Sequence, residues 1–292
     1  MTVAPLTRTI PFIGKLRATW TLIKSLQTGL LLVTGLAGYA SARPNTGWHI
    51  WLAMAASLFL AISGSTVLNM IVDQDIDAVM KRTAKRPLPA GLVETSEAFA
   101  IGLAMATLGI NLAFVLHPLF GSIIFMGLFF DVAVYSMWLK RRTPWSIVWG
   151  GISGGMPVLA GRVLGVGQID GIGLLLALGV LLWIPTHMLT FGIKYADDYT
   201  RSGVPVFPNV YGERVTRFII AVSTAGAVIV MLSAMWQLAL ATGAMYAAIG
   251  LGAMLLIFTV ASVLHRSPRL NFVLYKLASL YMLGSMLLVM AG

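Results

Sequence analysis

Apolar residues gather along the chain in nine runs of about 20 residues, separated by short clusters of charge, proline and glycine. The runs occupy 22–42, 48–70, 95–116, 118–138, 145–165, 170–193, 215–237, 240–264 and 271–291. A helix of about 20 residues rises roughly 30 Å, the thickness of a bilayer's hydrocarbon core. The pattern therefore predicts an all-α integral membrane protein with nine transmembrane helices. The joints carry helix-breaking dipeptides, among them Arg43-Pro44, His117-Pro118 and Ser267-Pro268. No stretch remains for a separate soluble unit. The chain 1–292 reads as a single membrane domain, with an amino-terminal segment at 1–20 and a helical bundle at 22–291.

Composition agrees. Of 292 residues, 58% are hydrophobic and 10% charged, and the mean hydropathy is +0.88. An ordinary soluble domain carries roughly 25% charged residues, so a soluble enzyme is excluded. The formal charge is +10. In a soluble chain that would suggest nucleic acid, but here the cations sort by side of the membrane. Seventeen of them lie in the amino-terminal segment and in the loops after the second, fourth, sixth and eighth runs, whereas Arg43 and Arg162 fall on the other side. Positive loops stay in the cytoplasm. The amino terminus and these loops are expected there, and the carboxyl terminus outside, in a multi-pass protein of the cell membrane without a nucleic-acid partner. Ala40-Ser41-Ala42 after the first run resembles a leader cleavage site, but removing that run would spoil the sorting. There is no cysteine, which closes disulfide, thiolate-metal and iron–sulfur chemistry.

The ten acids carry the chemical information, because five of them fall in two clusters, each in a positive loop. In the first, Asn69, Asp73 and Asp77 are spaced i, i+4, i+8. On a continuing helix they share one face, with Asp75 pointing elsewhere. Like charges one turn apart call for a cation. Lys81 and Lys85 extend the same spacing and could neutralise the acids as a ladder. Alternatively the oxygens hold Mg²⁺, which binds through one or two carboxylates, waters and substrate phosphates. Lys81, Arg82, Lys85 and Arg86 then become phosphate contacts. The second cluster repeats this grammar: Asp197-Asp198, then Arg201 and a run of prolines ending at Gly212. Two such loops on one face could close over one diphosphate.

At these residues the chain resembles the UbiA superfamily of intramembrane prenyltransferases, whose first motif is N-x-x-x-D-x-x-x-D. Within it the chain is most similar to the heme O synthase family. The stretch 69–91, NMIVDQDIDAVMKRTAKRPLPAG, carries most of the likeness; WLKRRTP at 138–144, Gly150-Gly151, His187, Asp198-Tyr199 and GVPVFP at 203–208 add to it. The resemblance implies a nine-helix bundle that binds farnesyl diphosphate through Mg²⁺ at its cytoplasmic mouth. The prenyl group would pass to a vinyl group of heme B, and the product to a partner in heme A synthesis. It also implies site residues. Asn69, Asp73, Asp77 and Asp198 would be catalytic and, with Asp197, metal-binding. Lys81, Arg82, Lys85, Arg86, Lys140, Lys194 and Arg201 would meet the diphosphate, and His187 and Arg162 the acceptor.

The sequence departs from the family's pattern at several points. The second motif is typically D-x-x-x-D, whereas Lys194 stands four before Asp198. Lys24-Ser25 replaces a Lys-Pro, Ser146 an Asn, and Arg162 an aromatic residue. These put the second metal's ligands and the acceptor in question, leaving quinone or chlorophyll precursors and lipid glycerophosphates as other acceptors. Among the residues taken singly, Asp131 is an intramembrane carboxylate, suited to a functional role or to a structural hydrogen bond. Arg162 either snorkels to the surface or meets a propionate. Gly150, Gly151, Gly154 and Gly155 should let helices pack closely. A secondary transporter would instead place its polar groups near the bilayer midplane, where the sequence has little besides Asp131.

Overall fold

The structure, a computed structural model, describes residues 12–292. Residues 1–11, more than half of the predicted amino-terminal segment, lie outside it. Among the described residues all regular structure is helical. The order is α1 Phe12–Leu22, α2 Ser25–Ala40, α3 Trp48–Val72, α4 Gln74–Val79, α5 Thr95–Leu116, α6 Pro118–Leu128 continuing as a π-helix Phe129–Leu139, α7 Ser146–Val166, α8 Gly171–Lys194, α9 Ala196–Ser202, α10 Phe207–Gln237, α11 Thr242–Leu264 and α12 Pro268–Ala291. Every predicted run is helical. Eight spans among the described residues are long and apolar enough to cross a membrane. The remaining run, 22–42, is divided: Lys24 takes a left-handed conformation (φ 45°, ψ 59°) between α1 and α2. The 16-residue α2 rises about 24 Å, short of a full crossing.

The helices close into two neighbouring groups. In one, α3 packs on α5, α5 on α6, α6 on α7, and α7 on α2. In the other, α8 packs on α10, α10 on α11, α11 on α12, and α12 returns to α8; contacts α7–α8 and α2–α12 join the groups. At the joint lie Ala37, Val158, Leu176, Val180, Met231 and Met286, all buried. Glycine makes the tightest approaches. A Cβ on Gly38 would stand 2.0 Å from the Val158 carbonyl oxygen, and one on Gly161 2.0 Å from that of Gly35, so α2 and α7 touch backbone to backbone. The quartet at 150–155 does face neighbouring elements: Gly155 abuts the Ala177 carbonyl of α8, with 2.9 Å from its would-be Cβ. The closer contacts of α2 with α7 centre on Gly161, which with Gly165 repeats the same i, i+4 spacing farther along α7.

Candidate active site

The first acidic motif is divided between two helices. Asp73 (φ −92°, ψ 0°) closes α3 and opens α4. The backbone nonetheless keeps the i, i+4 relation across the joint: Asp73 N–H donates to the Asn69 carbonyl at 3.0 Å and Asp77 N–H to that of Asp73 at 2.8 Å. Asp73 is 7% and Asp77 4% exposed, a placement that demands compensation. The expected lysine ladder does not supply it. Met80 turns extended at the end of α4, which ends the helical register, and Lys81 and Lys85 are exposed. The cations come from farther along the chain. Arg86 Nη1 meets Asp77 Oδ2 at 2.6 Å and Lys140 Nζ pairs with Asp73 Oδ2. The exposed Asp75 receives two 2.6 Å bonds from Arg141, which also caps α3 at the Val72 carbonyl, 2.7 Å away. That guanidinium holds the Asp75 carboxyl below the usual carboxylate range.

The second loop meets the first, as two related loops closing over one site require. Buried Ile76 and Met80 of the first pack on Val204 of the second, flanked by Tyr199 and Val206. Lys81 contributes through its backbone: its N–H donates to Asp198 Oδ1 at 3.3 Å. Burial alone would raise the Asp198 carboxyl; Arg201 beside it and the loop amides hold it below its ordinary value. Of the adjacent pair only Asp198 is enclosed, and Asp197 is exposed. Lys194, in the position of the family's missing acid, is exposed too, its ammonium 4.0 Å from the Phe272 ring centroid and 5.1 Å from that of Tyr195. Arg82 is laid between the loops, its guanidinium carbon 4.8 Å from the centroid of Phe191 and 5.3 Å from that of Tyr195.

Six buried side-chain nitrogen or oxygen atoms among the described residues have no hydrogen-bond partner, and three are here: Asn69 Oδ1, Asp73 Oδ1 and Arg82 Nε. Buried polar atoms are ordinarily satisfied, so their concentration beside two charge pairs makes this the candidate site. Two hard oxygens with a free guanidinium N–H suit Mg²⁺ carrying a phosphate. Among the described residues no three His, Asp or Glu side chains gather closely enough to hold an ion by themselves. The predicted set Asn69, Asp73, Asp77, Asp197 and Asp198 is thus not drawn together into one cage, and a bound Mg²⁺ would take part of its shell from water and phosphate.

Asn69 itself is held from below. Its Nδ2 donates to Asp131 Oδ2 at 2.6 Å, and Ser65 Oγ, one turn earlier on α3, donates to the same oxygen at 2.6 Å. Asp131 lies in the π-helical stretch Phe129–Leu139, as its i to i−5 bond from Lys140 N–H to the Tyr135 carbonyl at 2.8 Å shows. The sequence signalled Asp131 as an intramembrane acid; nothing local in Phe129–Leu139 signalled the change of winding.

The two residues expected at the acceptor separate. His187 lies on α8 one turn before Phe191 and two before Tyr195, on the same face. Its ring stacks between Trp183 (centroids 5.0 Å apart) and Tyr275 (4.6 Å), with Nδ1 3.2 Å from Ser279 Oγ. Arg162 lies near the opposite end of the bundle and does not snorkel: it is 8% exposed. Its Nη2 meets Asp170 Oδ2 at 2.7 Å, Nε lies within 3.3 Å of both Asp170 oxygens, and Nη1 donates to the Ser41 carbonyl at 2.5 Å. Each guanidinium nitrogen is engaged by protein, which leaves the propionate contact without support in the geometry.

A sequence profile described as the UbiA prenyltransferase family matches residues 31–282. A protoheme IX farnesyltransferase of Archaeoglobus fulgidus is 42% identical over 219 residues, 75% of this chain and 77% of that one. Among solved structures, one of a study of digeranylgeranylglyceryl phosphate synthase in membranes aligns at TM-score 0.78 and 19% identity, covering 95% of this chain and 98% of the other. A UbiA homolog from Archaeoglobus fulgidus bound to GPP and Mg²⁺ aligns at 0.68 and 14%, covering 94% and 100%. The two structures share the fold, and the sequence matches reach further: this chain belongs to the UbiA prenyltransferase family.

Proposed function

We propose that this chain transfers the farnesyl group of farnesyl diphosphate to a vinyl group of heme B, releasing diphosphate and leading to heme O. The observation that carries the reading is the pair of buried, unpartnered oxygens Asn69 Oδ1 and Asp73 Oδ1 next to the cations Lys140 and Arg86 at the meeting of two acidic loops. The activity named for the 42% identical protoheme IX farnesyltransferase supports the acceptor and donor, and the neighbour holding GPP with Mg²⁺ supports the metal.

Asn69 and Asp73 would hold Mg²⁺, with Asp77 and Asp198 completing the enclosed acidic face; the exposed Asp197 is left at the rim. When bound, the ion neutralises the charge that develops on the leaving diphosphate. Lys140 and Arg86, paired with Asp73 and Asp77, can exchange those carboxylates for phosphate oxygens without crossing open water. Arg82, propped on Phe191 and Tyr195, offers its Nε–H as a charge-assisted donor. Lys81, Lys85, Lys194 and Arg201, at the rim, attract the anion from solution. As the allylic carbon–oxygen bond breaks, its electron pair leaves with diphosphate. The vinyl π electrons then bond to the prenyl carbon, and water adds to the resulting cation and loses a proton, completing a hydroxyethylfarnesyl group. Between the helices water is scarce, which protects the first cation from capture. The face His187, Phe191, Tyr195 runs from the bundle interior to the diphosphate site and suits a flat aromatic acceptor; His187 offers an imidazole to its iron. The acid-bearing end faces the cytoplasm in this reading, the carboxyl terminus lies outside, and the product passes to an enzyme of heme A synthesis.

The test is purified protein in lipid with Mg²⁺, farnesyl diphosphate and heme B, its products read by mass spectrometry beside an EDTA control. A metal-dependent hydroxyethylfarnesyl heme is expected. Unmodified heme with diphosphate still released would move the acceptor to another hydrophobic ring, and no metal-dependent release at all would overturn the prenyl transfer.

A further inference from the structure

We infer that Asp131 is a positioning residue that fixes which end of the Asn69 amide meets the metal. The inference rests on the metal reading of Asn69 given above. A carboxamide has two ends of nearly the same shape and opposite chemistry: Oδ1 can coordinate a cation, and Nδ2 only repels one. Burial alone does not choose between them. Here a choice is imposed, because Asp131 Oδ2 lies 2.6 Å from Asn69 Nδ2 and accepts its hydrogen bond there, an arrangement only the NH2 end of the amide can make. Ser65 Oγ donates to the same oxygen at 2.6 Å, which fixes the carboxylate in turn. The amide oxygen is then left buried and without a partner, as is Asp73 Oδ1 one turn above. Ser65, Asn69 and Asp73 thus form one ladder on α3. Its lower half is closed by Asp131, and its upper half is open toward the diphosphate site.

The test compares variants in lipid nanodiscs, with Mn²⁺ as a paramagnetic probe titrated in the presence of the unreactive thiolo analogue of farnesyl diphosphate. Asp131→Leu removes the acceptor and should weaken Mn²⁺ binding about tenfold or more, the usual effect of losing a group that orients a metal ligand. It should also raise the Mg²⁺ needed for half-maximal rate while the rate at saturating Mg²⁺ stays within about threefold. Asp131→Asn keeps an acceptor oxygen but can also turn its own NH2 toward Asn69, so it imposes the choice only in part and should fall between the leucine variant and the unaltered protein in both measures. If the leucine variant does not insert, Asp131→Ala carries the same comparison. The deciding background is Asn69→Asp, whose side chain presents oxygen in either rotation. There the loss of Asp131 should cost nothing in Mn²⁺ affinity. An equal loss on both backgrounds overturns the positioning role while leaving the metal reading standing. Unchanged Mn²⁺ binding in Asn69→Ala overturns the metal reading itself, and the inference with it.

Discussion

Both ends of this bundle bury charge, and they do so to opposite purpose. At the end away from the acids, Arg162, Asp170 and Ser41 form a closed account of hydrogen bonds: each guanidinium nitrogen has an acceptor, and Asp170 Oδ1 also takes the Gly173 N–H at 2.8 Å, capping α8. At the other end Asp73 and Asp77 each have a cation, yet Asn69 Oδ1, Asp73 Oδ1 and Arg82 Nε have nothing. A buried charge pair is costly in either place. What separates a clamp from a site is whether the remaining donors and acceptors are used up.

The comparison is broken most severely by removing charge at the open end. Asp73→Asn and Asp77→Asn should each lower prenyl transfer per folded molecule on the order of 10²-fold or more, and some stability should go with it because each leaves its cation unpaired. Retained transfer in both variants would sink the site assignment. At the closed end the cost should appear as stability instead. Arg162→Leu leaves the half-enclosed Asp170 without its cation and the Ser41 carbonyl without its donor, and unfolding in detergent should be easier by about 2 kcal/mol, less than a fully buried pair would cost. Transfer per folded molecule should hold; an equal loss of activity would show that the two ends are not separate. Arg82→Ala sharpens the contrast from within the open end: losing one charge-assisted donor should raise the KM for the diphosphate about tenfold, with stability little altered. Arg141→Ala should have the smallest effect, below about 1 kcal/mol, because its partner Asp75 is exposed. A larger loss would mean that its cap on the end of α3 matters more than the ion pair.

The spans and the motif spacing could be read along the chain, since each depends on local periodicity that a backbone helix converts directly into geometry, and the meeting of two acidic loops could be read from their repeated pattern of acids, bases and prolines. The partners of the acids could not. Lys81 and Lys85 have the right spacing to neutralise Asp73 and Asp77, but the turn at Met80 ends the register, and Arg86 and Lys140 arrive instead from nine and 67 residues away. For Arg162 the alternatives were the outer surface and a heme propionate, and its buried pairing with Asp170 depends on the turn between α7 and α8. The split of the first span turns on the single left-handed residue Lys24, whose conformation no hydropathy average registers.

The π-helical stretch carries one more consequence, in the arithmetic of rotation. Asp131 and Lys140 are nine residues apart, and in an α-helix of about 3.6 residues per turn nine steps leave two side chains on opposite faces. With i to i−5 bonding and roughly 4.4 residues per turn, nine steps come close to two full turns. The acid that holds Asn69 and the lysine that pairs with Asp73 therefore look the same way, toward α3. A chain shortened by one residue within 129–139 and rewound as α-helix would keep every one of its polar groups, and would have to turn one of these two away from the partner it meets here.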